Sequence, residues 1–172
     1  MKAMILSAGR GLRLMPITTN IPKPLVKVGK QTLLERNINL LYQSGITEII
    51  VNGSWLGEQI ESFIANIQLK GLKLHYLYEG SEPLGTAGAV YNAMDNKLLI
   101  NENFWLVNSD IITNFSLPNI SLLNNRVGHL ILVPNPDHNS TGDFGLKSDQ
   151  VLNESIEMLT FSGISFLSCR MF

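Results

Sequence analysis

The 172-residue chain has little cysteine, little histidine and no excess of basic residues. Cys169 is the single cysteine, so no disulfide can form within the chain. Three histidines at scattered positions disfavour a structural zinc site. Lys and Arg total 13 against 14 Asp and Glu, and the net charge of -1 gives no basic surface of the kind that binds nucleic acid. We therefore expect neither a disulfide scaffold nor a nucleic-acid partner.

Long hydrophobic runs are also missing. No apolar stretch approaches the roughly 20 residues that a membrane-spanning helix needs, and the N-terminus carries one lysine and a short apolar strand instead of a signal peptide. We expect a cytoplasmic protein with no membrane partner. Hydrophobic residues nevertheless make up 45% of the chain, which is enough to build the core of one globular domain.

Predicted strands and helices alternate along the chain, without repeats or a low-complexity linker. Thr32 and Glu35 have the spacing of a capping box at the start of the first helix. The predicted helices cover residues 33–44, 56–67 and 86–94, and the predicted strands cover 3–7, 47–52, 73–78, 104–108, 129–133, 144–147 and 163–167. This alternation predicts a Rossmann-like α/β domain, a mostly parallel sheet with helices on both faces.

The loop after the first strand, residues 6–16 (LSAGRGLRLMP), favours an anion site. Gly9 and Gly11 let backbone N–H groups approach an anion closely, and Arg13 adds a permanently charged guanidinium. Lys23 follows soon after, in a backbone stiffened by prolines on both sides. Together these residues predict a polyphosphate site. The two glycines alone would be equally compatible with an ordinary turn.

This loop departs from two other phosphate-binding motifs. Leu14 stands where a dinucleotide fingerprint has its third glycine, and residues 29–33 supply no acid for a ribose, which disfavours a nicotinamide-dependent dehydrogenase. No Gly-Lys-Ser/Thr sequence ends the loop, so it is not a Walker motif either.

Two further segments have candidate roles. Asp110 follows the apolar strand 104–108, and a carboxylate there suits a hard cation such as Mg²⁺, the alternative being a turn cap. Residues 79–88 (EGSEPLGTAG) would present backbone groups to a nucleobase or form an ordinary strand-to-helix joint. Ligands of parallel sheets bind beyond the carboxyl ends of the strands, so neighbouring first and fourth strands would bring Arg13 and Asp110 to one crevice.

Four segments in order, residues 6–18, 22–25, 83–88 and 107–110, resemble the motifs of the sugar-1-phosphate nucleotidylyltransferases. The resemblance covers essentially the whole chain. It implies the nucleotide-diphospho-sugar transferase fold and Mg²⁺-dependent transfer of a nucleotidyl group from a nucleoside triphosphate to a sugar 1-phosphate, with release of pyrophosphate.

Residues 135–138, 142–146 and 159–164 are similar to segments of one group in that family, the N-acetylmuramic acid α-1-phosphate uridylyltransferases. This similarity implies UTP as the nucleotide and a role in the recycling of cell-wall peptidoglycan. The sequence Leu-Gly-Thr-Ala-Gly is shared with mannose-1-phosphate guanylyltransferases, so a guanylyltransferase or another hexose-1-phosphate nucleotidyltransferase remains an alternative.

The resemblance also implies roles for individual residues. Arg13, Lys23 and Asp110 would be catalytic, with Asp110 as the metal ligand. The nucleotide would be bound by Leu6, Ala8, Gly9, Gly11, Arg13, Lys23, Glu79 and Gly85. The sugar phosphate would be bound by Asn108, Asp143, Gly145 and Gly163. The nucleotide half of the single domain would then cover about residues 1–110, and the sugar-phosphate half about residues 111–172.

The sequence departs from the family at its C-terminal side. The family usually has a second metal-binding aspartate in a Trp-x-Asp-Val-Gly-Thr-like segment, and the chain stops at Phe172 before any such segment. We expect a truncated form with low or no turnover, which makes a non-catalytic nucleotide- or sugar-phosphate-binding module the alternative from another class. A sheet edge left open by the early stop could also drive association into a homo-oligomer.

Overall fold

Ten strands and three helices are found in residues 1–123 and 125–172, which the computed structural model describes. The helices are α1 (Leu33–Gln43), α2 (Gly57–Ala65) and α3 (Gly85–Asp95). The strands are β1 (Lys2–Leu6), β2 (Lys27–Val28), β3 (Gln31–Thr32), β4 (Glu48–Gly53), β5 (Lys73–Tyr78), β6 (Asn103–Asn108), β7 (Gly128–Val133), β8 (Phe144–Lys147), β9 (Gln150–Leu152) and β10 (Met158–Ser168).

The main sheet has the order β5-β4-β1-β6-β10-β8-β9, and β7 pairs with β10. Its first four strands are parallel, because α1, α2 and α3 return the chain to the same end of the sheet each time. β10 runs antiparallel to β6, β7 and β8. The prediction of an α/β, Rossmann-like fold with a mostly parallel arrangement is confirmed, with an antiparallel addition on one side.

The side chains of the parallel strands alternate between two hydrophobic clusters, one on each face of the sheet. On one face, strand residues such as Ile5 and Val107 pack with α1 and α2. On the other face, Met4 and Leu106 pack with α3. Helices therefore cover both faces, as expected. Because β1, β4 and β6 are buried on both sides, their central residues read as continuous apolar runs.

Helix α1 begins with the predicted cap and connects to the end of β6. Thr32 Oγ1 accepts a hydrogen bond from the Glu35 backbone N–H at 3.0 Å. One turn further on, the buried Asn37 side chain donates to the Ser109 carbonyl at 3.1 Å and to the Ile111 carbonyl at 3.3 Å. These bonds hold the two residues that flank Asp110, so the helix positions the segment that follows the strand.

The structure differs from the predicted elements mainly near the C-terminal side. β10 covers 11 residues, whereas the sequence predicts only residues 163–167. Its apolar pattern is interrupted at Gly163, which has a φ of +85°, and the register with β7 shifts between Phe161 and Ser165. A β-bulge therefore lies at the start of the predicted strand, and β10 continues beyond it to Met158. The short strands β2, β3 and β9 were not predicted, because two or three residues carry no recognisable period.

Among the helices that the structure describes, none is long and apolar enough to cross a membrane.

Tyr76 of β5 fills the space left by two glycines. A Cβ atom at Gly57 would lie 2.2 Å from the Tyr76 hydroxyl oxygen, and one at Gly53 would lie 2.6 Å from it. The hydroxyl is buried and has no hydrogen-bond partner within the described residues. The pKa of Tyr76 is raised from 10.0 to about 12. Burial of the side chain is the largest cause, and the negative charge of Glu61 is the next largest.

This raised pKa predicts that the folded protein becomes less stable at alkaline pH. Between pH 10 and 12 Tyr76 ionises in the unfolded chain and stays protonated in the folded one, so the free energy of unfolding falls as pH rises. Tyr76→Phe removes this titration, and its urea midpoint should fall less than that of the original protein over the same range. The other titrating groups are common to both proteins and cancel in the difference. Parallel declines in the two proteins would contradict the prediction.

Candidate active site

The cleft that contains the candidate site lies where the strand order reverses. The chain passes from β1 outward to β4 and β5, and then returns to β6 on the other side of β1. The carboxyl ends of these strands open onto a cleft of about 760 Å³. Ten of the predicted site residues line it: Leu6, Ala8, Gly9, Gly11, Arg13, Lys23, Glu79, Gly85, Asn108 and Asp110. The expected convergence of the Arg13 loop and Asp110 is confirmed.

The loop after β1 is shaped by Gly11. Its φ is +64°, and a Cβ there would lie 3.0 Å from side-chain carbons of both Lys23 and Thr18, so a larger residue would be strained and crowded. Thr18 Oγ1 donates to the Gly11 carbonyl at 2.9 Å. At Gly9 no heavy atom of the described residues, apart from the glycine and its two chain neighbours, lies within 4 Å of a Cβ position, which leaves its backbone open to a ligand. Arg13 is exposed in the 3-10 turn that follows.

Lys23 and Asp110 meet at the edge of the cleft. The Lys23 Nζ atom donates to Asp110 Oδ2 in an ion pair between side chains that are 24% and 39% exposed. Lys23 begins a 3-10 turn with the buried Pro24. At the other side of the pair, the Ser109 N–H donates to the Leu6 carbonyl at 3.2 Å and extends the β1–β6 pairing by one residue. The backbone on both sides of the pair is therefore held in place.

Asp110 has the chemistry of a Mg²⁺ ligand. Within the described residues no group of three or more His, Cys, Asp or Glu side chains gathers to hold a metal. A single accessible carboxylate still fits Mg²⁺, because this ion commonly takes one or two carboxylates and completes its shell with substrate phosphates and water. The donor set therefore fits a magnesium ion that is bound together with phosphate oxygens.

Glu79 takes part in a relay of hydrogen bonds that joins the ends of three strands. The Ser7 N–H donates to Asn52 Oδ1 at 2.6 Å, Asn52 Nδ2 donates to Glu79 Oε1 at 2.7 Å, and the Leu84 N–H donates to Glu79 Oε2 at 3.0 Å. Both oxygens of Glu79 thus bind protein groups and order the loop before α3. Whether Glu79 also lies near a base stays a prediction.

Asn52 was not among the site residues predicted from the sequence, although its position in an apolar strand indicated that its amide would need partners. Asn52 is 2% exposed and follows three apolar residues of β4, and a buried amide in such a strand needs partners.

Arg10 was also not among the predicted site residues. Its guanidinium carbon lies 5.6 Å from the centre of the Trp55 ring, and its Nη2 lies 2.5 Å from Glu82 Oε1. Trp55 Nε1 donates to the Thr18 carbonyl at 3.2 Å. Arg10 thereby links the loop after β1 to the loop before α3, across the cleft.

Three of the residues predicted to bind sugar phosphate do not line this cleft. Asp143 accepts hydrogen bonds from the Phe161 N–H at 2.8 Å and from Asn139 Nδ2 at 3.0 Å, within the antiparallel part of the sheet. Gly145 packs against Ser155, where a Cβ would lie 2.4 Å from the serine Cβ. Gly163 is closer to the site, since a Cβ there would lie 3.0 Å from Asn108 Nδ2. Their sugar-phosphate role stays a prediction.

The fold and the cleft are those of a nucleotidyltransferase, and the comparison of the chain with known families agrees. The chain belongs to the nucleotidyl transferase family, whose pattern matches residues 2–148.

The N-acetylmuramate alpha-1-phosphate uridylyltransferase of Neisseria meningitidis serogroup B is 38% identical over 180 residues, covering 100% of this chain and 77% of that protein. The UTP--glucose-1-phosphate uridylyltransferase of Synechocystis is 32% identical over 141 residues, covering 77% of this chain and 36% of that protein. The mannose-1-phosphate guanylyltransferase catalytic subunit beta of Danio rerio is 38% identical over 118 residues, covering 67% of this chain and 32% of that protein.

Solved structures agree on the fold. A protein from Bacillus anthracis, crystallised with sucrose, superposes with a TM-score of 0.80 at 21% identity, covering 98% of this chain and 71% of that one. HddC from Yersinia pseudotuberculosis in complex with GMP-PN superposes with a TM-score of 0.75 at 23% identity, covering 99% of this chain and 77% of that one.

The relay predicts that Asn52→Ala destabilises the protein. The substitution leaves the Ser7 N–H and one Glu79 oxygen without their partner, so the free energy of unfolding should fall by about 1–3 kcal/mol. Asn66→Ala is the matched control, because among the described residues that amide donates only to the Ser62 carbonyl, at the exposed end of α2. Urea denaturation at neutral pH measures both. A loss for Asn52→Ala no larger than that for Asn66→Ala would show that the relay does not hold these loops.

Proposed function

We propose that the protein transfers a uridylyl group from UTP to N-acetylmuramic acid 1-phosphate and releases pyrophosphate, with Mg²⁺. The observation that carries this proposal is the meeting of Arg13, Lys23 and Asp110 around the glycine-rich loop in one cleft. Two cations and one carboxylate are the groups that a magnesium-bound triphosphate needs. The choice of UTP and of the muramic sugar is supported by the name of the Neisseria relative, which aligns with the whole chain.

The chemistry needs charge neutralisation and alignment. A phosphate oxygen of the sugar 1-phosphate attacks the α-phosphorus of the triphosphate, the bond to the bridging oxygen of the β-phosphate breaks, and pyrophosphate leaves with the electron pair. Both reactants are anions, so Arg13 and Lys23 would lower their mutual repulsion while the loop orients the α-phosphorus. When bound, Mg²⁺ at Asp110 would supply further positive charge. The attacking phosphate is already ionised at neutral pH, so no side chain must remove a proton.

A second candidate function is guanylyl transfer to mannose 1-phosphate, which is supported by the name of the Danio rerio relative and its 38% identity. We propose that either reaction takes place in the cytoplasm, because a chain with a single cysteine does not depend on an oxidising compartment for its stability. For the uridylyltransferase this location agrees with a role in recycling cell-wall sugars.

The substrate is tested by combining the four common nucleoside triphosphates with N-acetylmuramic acid, glucose and mannose 1-phosphates and measuring pyrophosphate release with Mg²⁺ and with EDTA. We expect low turnover, with the largest kcat/KM for UTP with N-acetylmuramic acid 1-phosphate, and EDTA should stop the reaction. Preference for GTP with mannose 1-phosphate would establish the second candidate. Saturable UTP binding without pyrophosphate from any pair would instead identify a binding module.

Arg13→Ala tests the role of the exposed cation. Loss of a charge that faces the phosphates should lower kcat/KM by about 10²–10³-fold, whereas the free energy of unfolding should change by less than about 0.5 kcal/mol, because the side chain is at the surface. Arg126→Ala is the control, since it also removes one positive charge but from a surface pair with Asp149, 2.8 Å away. If both variants lose activity equally, or if Arg13→Ala unfolds, the catalytic role of Arg13 is wrong.

A further inference from the structure

The ion pair between Lys23 and Asp110 joins the lysine that we propose binds phosphate to the carboxylate that we propose binds the metal ion. We propose that the two side chains exchange partners on substrate binding: Lys23 occupies the carboxylate in the free protein and keeps divalent cations away, and a nucleoside triphosphate draws Lys23 off. Metal and nucleotide would then bind this cleft cooperatively. The inference rests on the proposed function, since it takes a triphosphate as the ligand of Lys23.

The backbone near Lys23 holds the pair in place. The turn that carries Lys23 is closed by two backbone bonds, from the Leu25 N–H to the Pro22 carbonyl at 2.8 Å and from the Val26 N–H to the Lys23 carbonyl at 3.1 Å. The lysine side chain therefore starts from an ordered turn beside Asp110. Its flexible four-carbon stem lets the ammonium reach either the carboxylate or an anion bound nearby in the cleft.

A divalent cation alone meets an unfavourable site. To reach Asp110 Oδ2 it must displace an ammonium in direct contact, and two positive charges at such short range repel each other even at this solvent-exposed pair. The other carboxylates that line the cleft are also engaged. Glu79 accepts from Asn52 and from the Leu84 N–H, and Glu82 pairs with Arg10. Among the described residues, every carboxylate that lines the cleft therefore already has a protein partner when a bare metal ion arrives.

A triphosphate changes this balance. It carries several ionised oxygens and so attracts the ammonium more strongly than the single charge of one carboxylate. These oxygens also supply ligands that Mg²⁺ requires besides Asp110. Each ligand thus favours binding of the other. The nucleotide binds Lys23 and leaves Asp110 free for the metal, and the metal binds Asp110 and prevents the ion pair with Lys23 from forming again. Thermodynamic linkage makes this effect reciprocal, with typical couplings of about 5–150-fold in affinity.

The test measures Mn²⁺ binding to the nucleotide-free protein by the loss of the free-ion EPR signal, and needs no turnover. Lys23→Met and Lys23→Gln should both bind Mn²⁺ at least about fivefold more tightly than the original protein, within the range of such couplings. Lys23→Arg keeps the charge and should resemble the original. Adding Asp110→Asn to Lys23→Met should cancel the gain, and Lys70→Met, which removes an exposed charge elsewhere, should have no effect.

A second arm measures the coupling itself. The Kd of a non-hydrolysable UTP analogue, determined by calorimetry with and without Mn²⁺, should improve at least about fivefold with the metal in the original protein and less in Lys23→Met. Unchanged Mn²⁺ affinity in both neutral variants overturns the exchange, even if pyrophosphate is released and the function stands. Tighter Mn²⁺ binding in both, cancelled by Asp110→Asn, supports the exchange even if the substrate panel fails and the function must be revised.

Discussion

Parallel pairing of β1 with β6 is the constraint on which the site depends. Leu6 lies opposite Asn108 in this pairing, and the two strands end together although about 100 residues separate them along the chain. The glycine-rich loop leaves one strand at that point and Asp110 leaves the other. A slip of one residue would exchange the buried faces of β6, placing Trp105 and Phe104 in the wrong hydrophobic clusters. The register of the core therefore also sets the geometry of the cleft.

Buried polar side chains then fix the loops that the sheet brings together. Asn37 and Asn52 are each 2% exposed, and both use their amides on groups at strand ends. Asn37 holds the backbone around Asp110 from α1, and Asn52 joins the end of β1 to Glu79. Such bonds are strong because few water molecules compete with them, and they define one arrangement of the loops because an unpaired amide there would be costly.

Charge has a different role from packing in this molecule. The core is apolar and the net charge is -1, yet Arg10, Arg13 and Lys23 all line one cleft. In the free protein Arg10 and Lys23 are paired with carboxylates on the neighbouring loops, whereas Arg13 is exposed. A cleft of this kind is close to neutral before it meets a polyphosphate and can redirect its cations when the ligand arrives. The same groups thus order the empty loops and are suited to neutralise two anionic reactants.

The sequence by itself determined the local elements and the family. β5 and β8 have the predicted bounds, and Thr32 caps α1 as its spacing with Glu35 indicates, because these features depend on residues close together in the chain. Tertiary structure decided the continuity of β10 through its bulge, the binding of both Glu79 oxygens within the protein, and the placement of Asp143 and Gly145 outside the cleft. It also paired Lys23 with Asp110. Those outcomes depend on which strands become neighbours and on partners far apart in the chain, and no local pattern of residues encodes either.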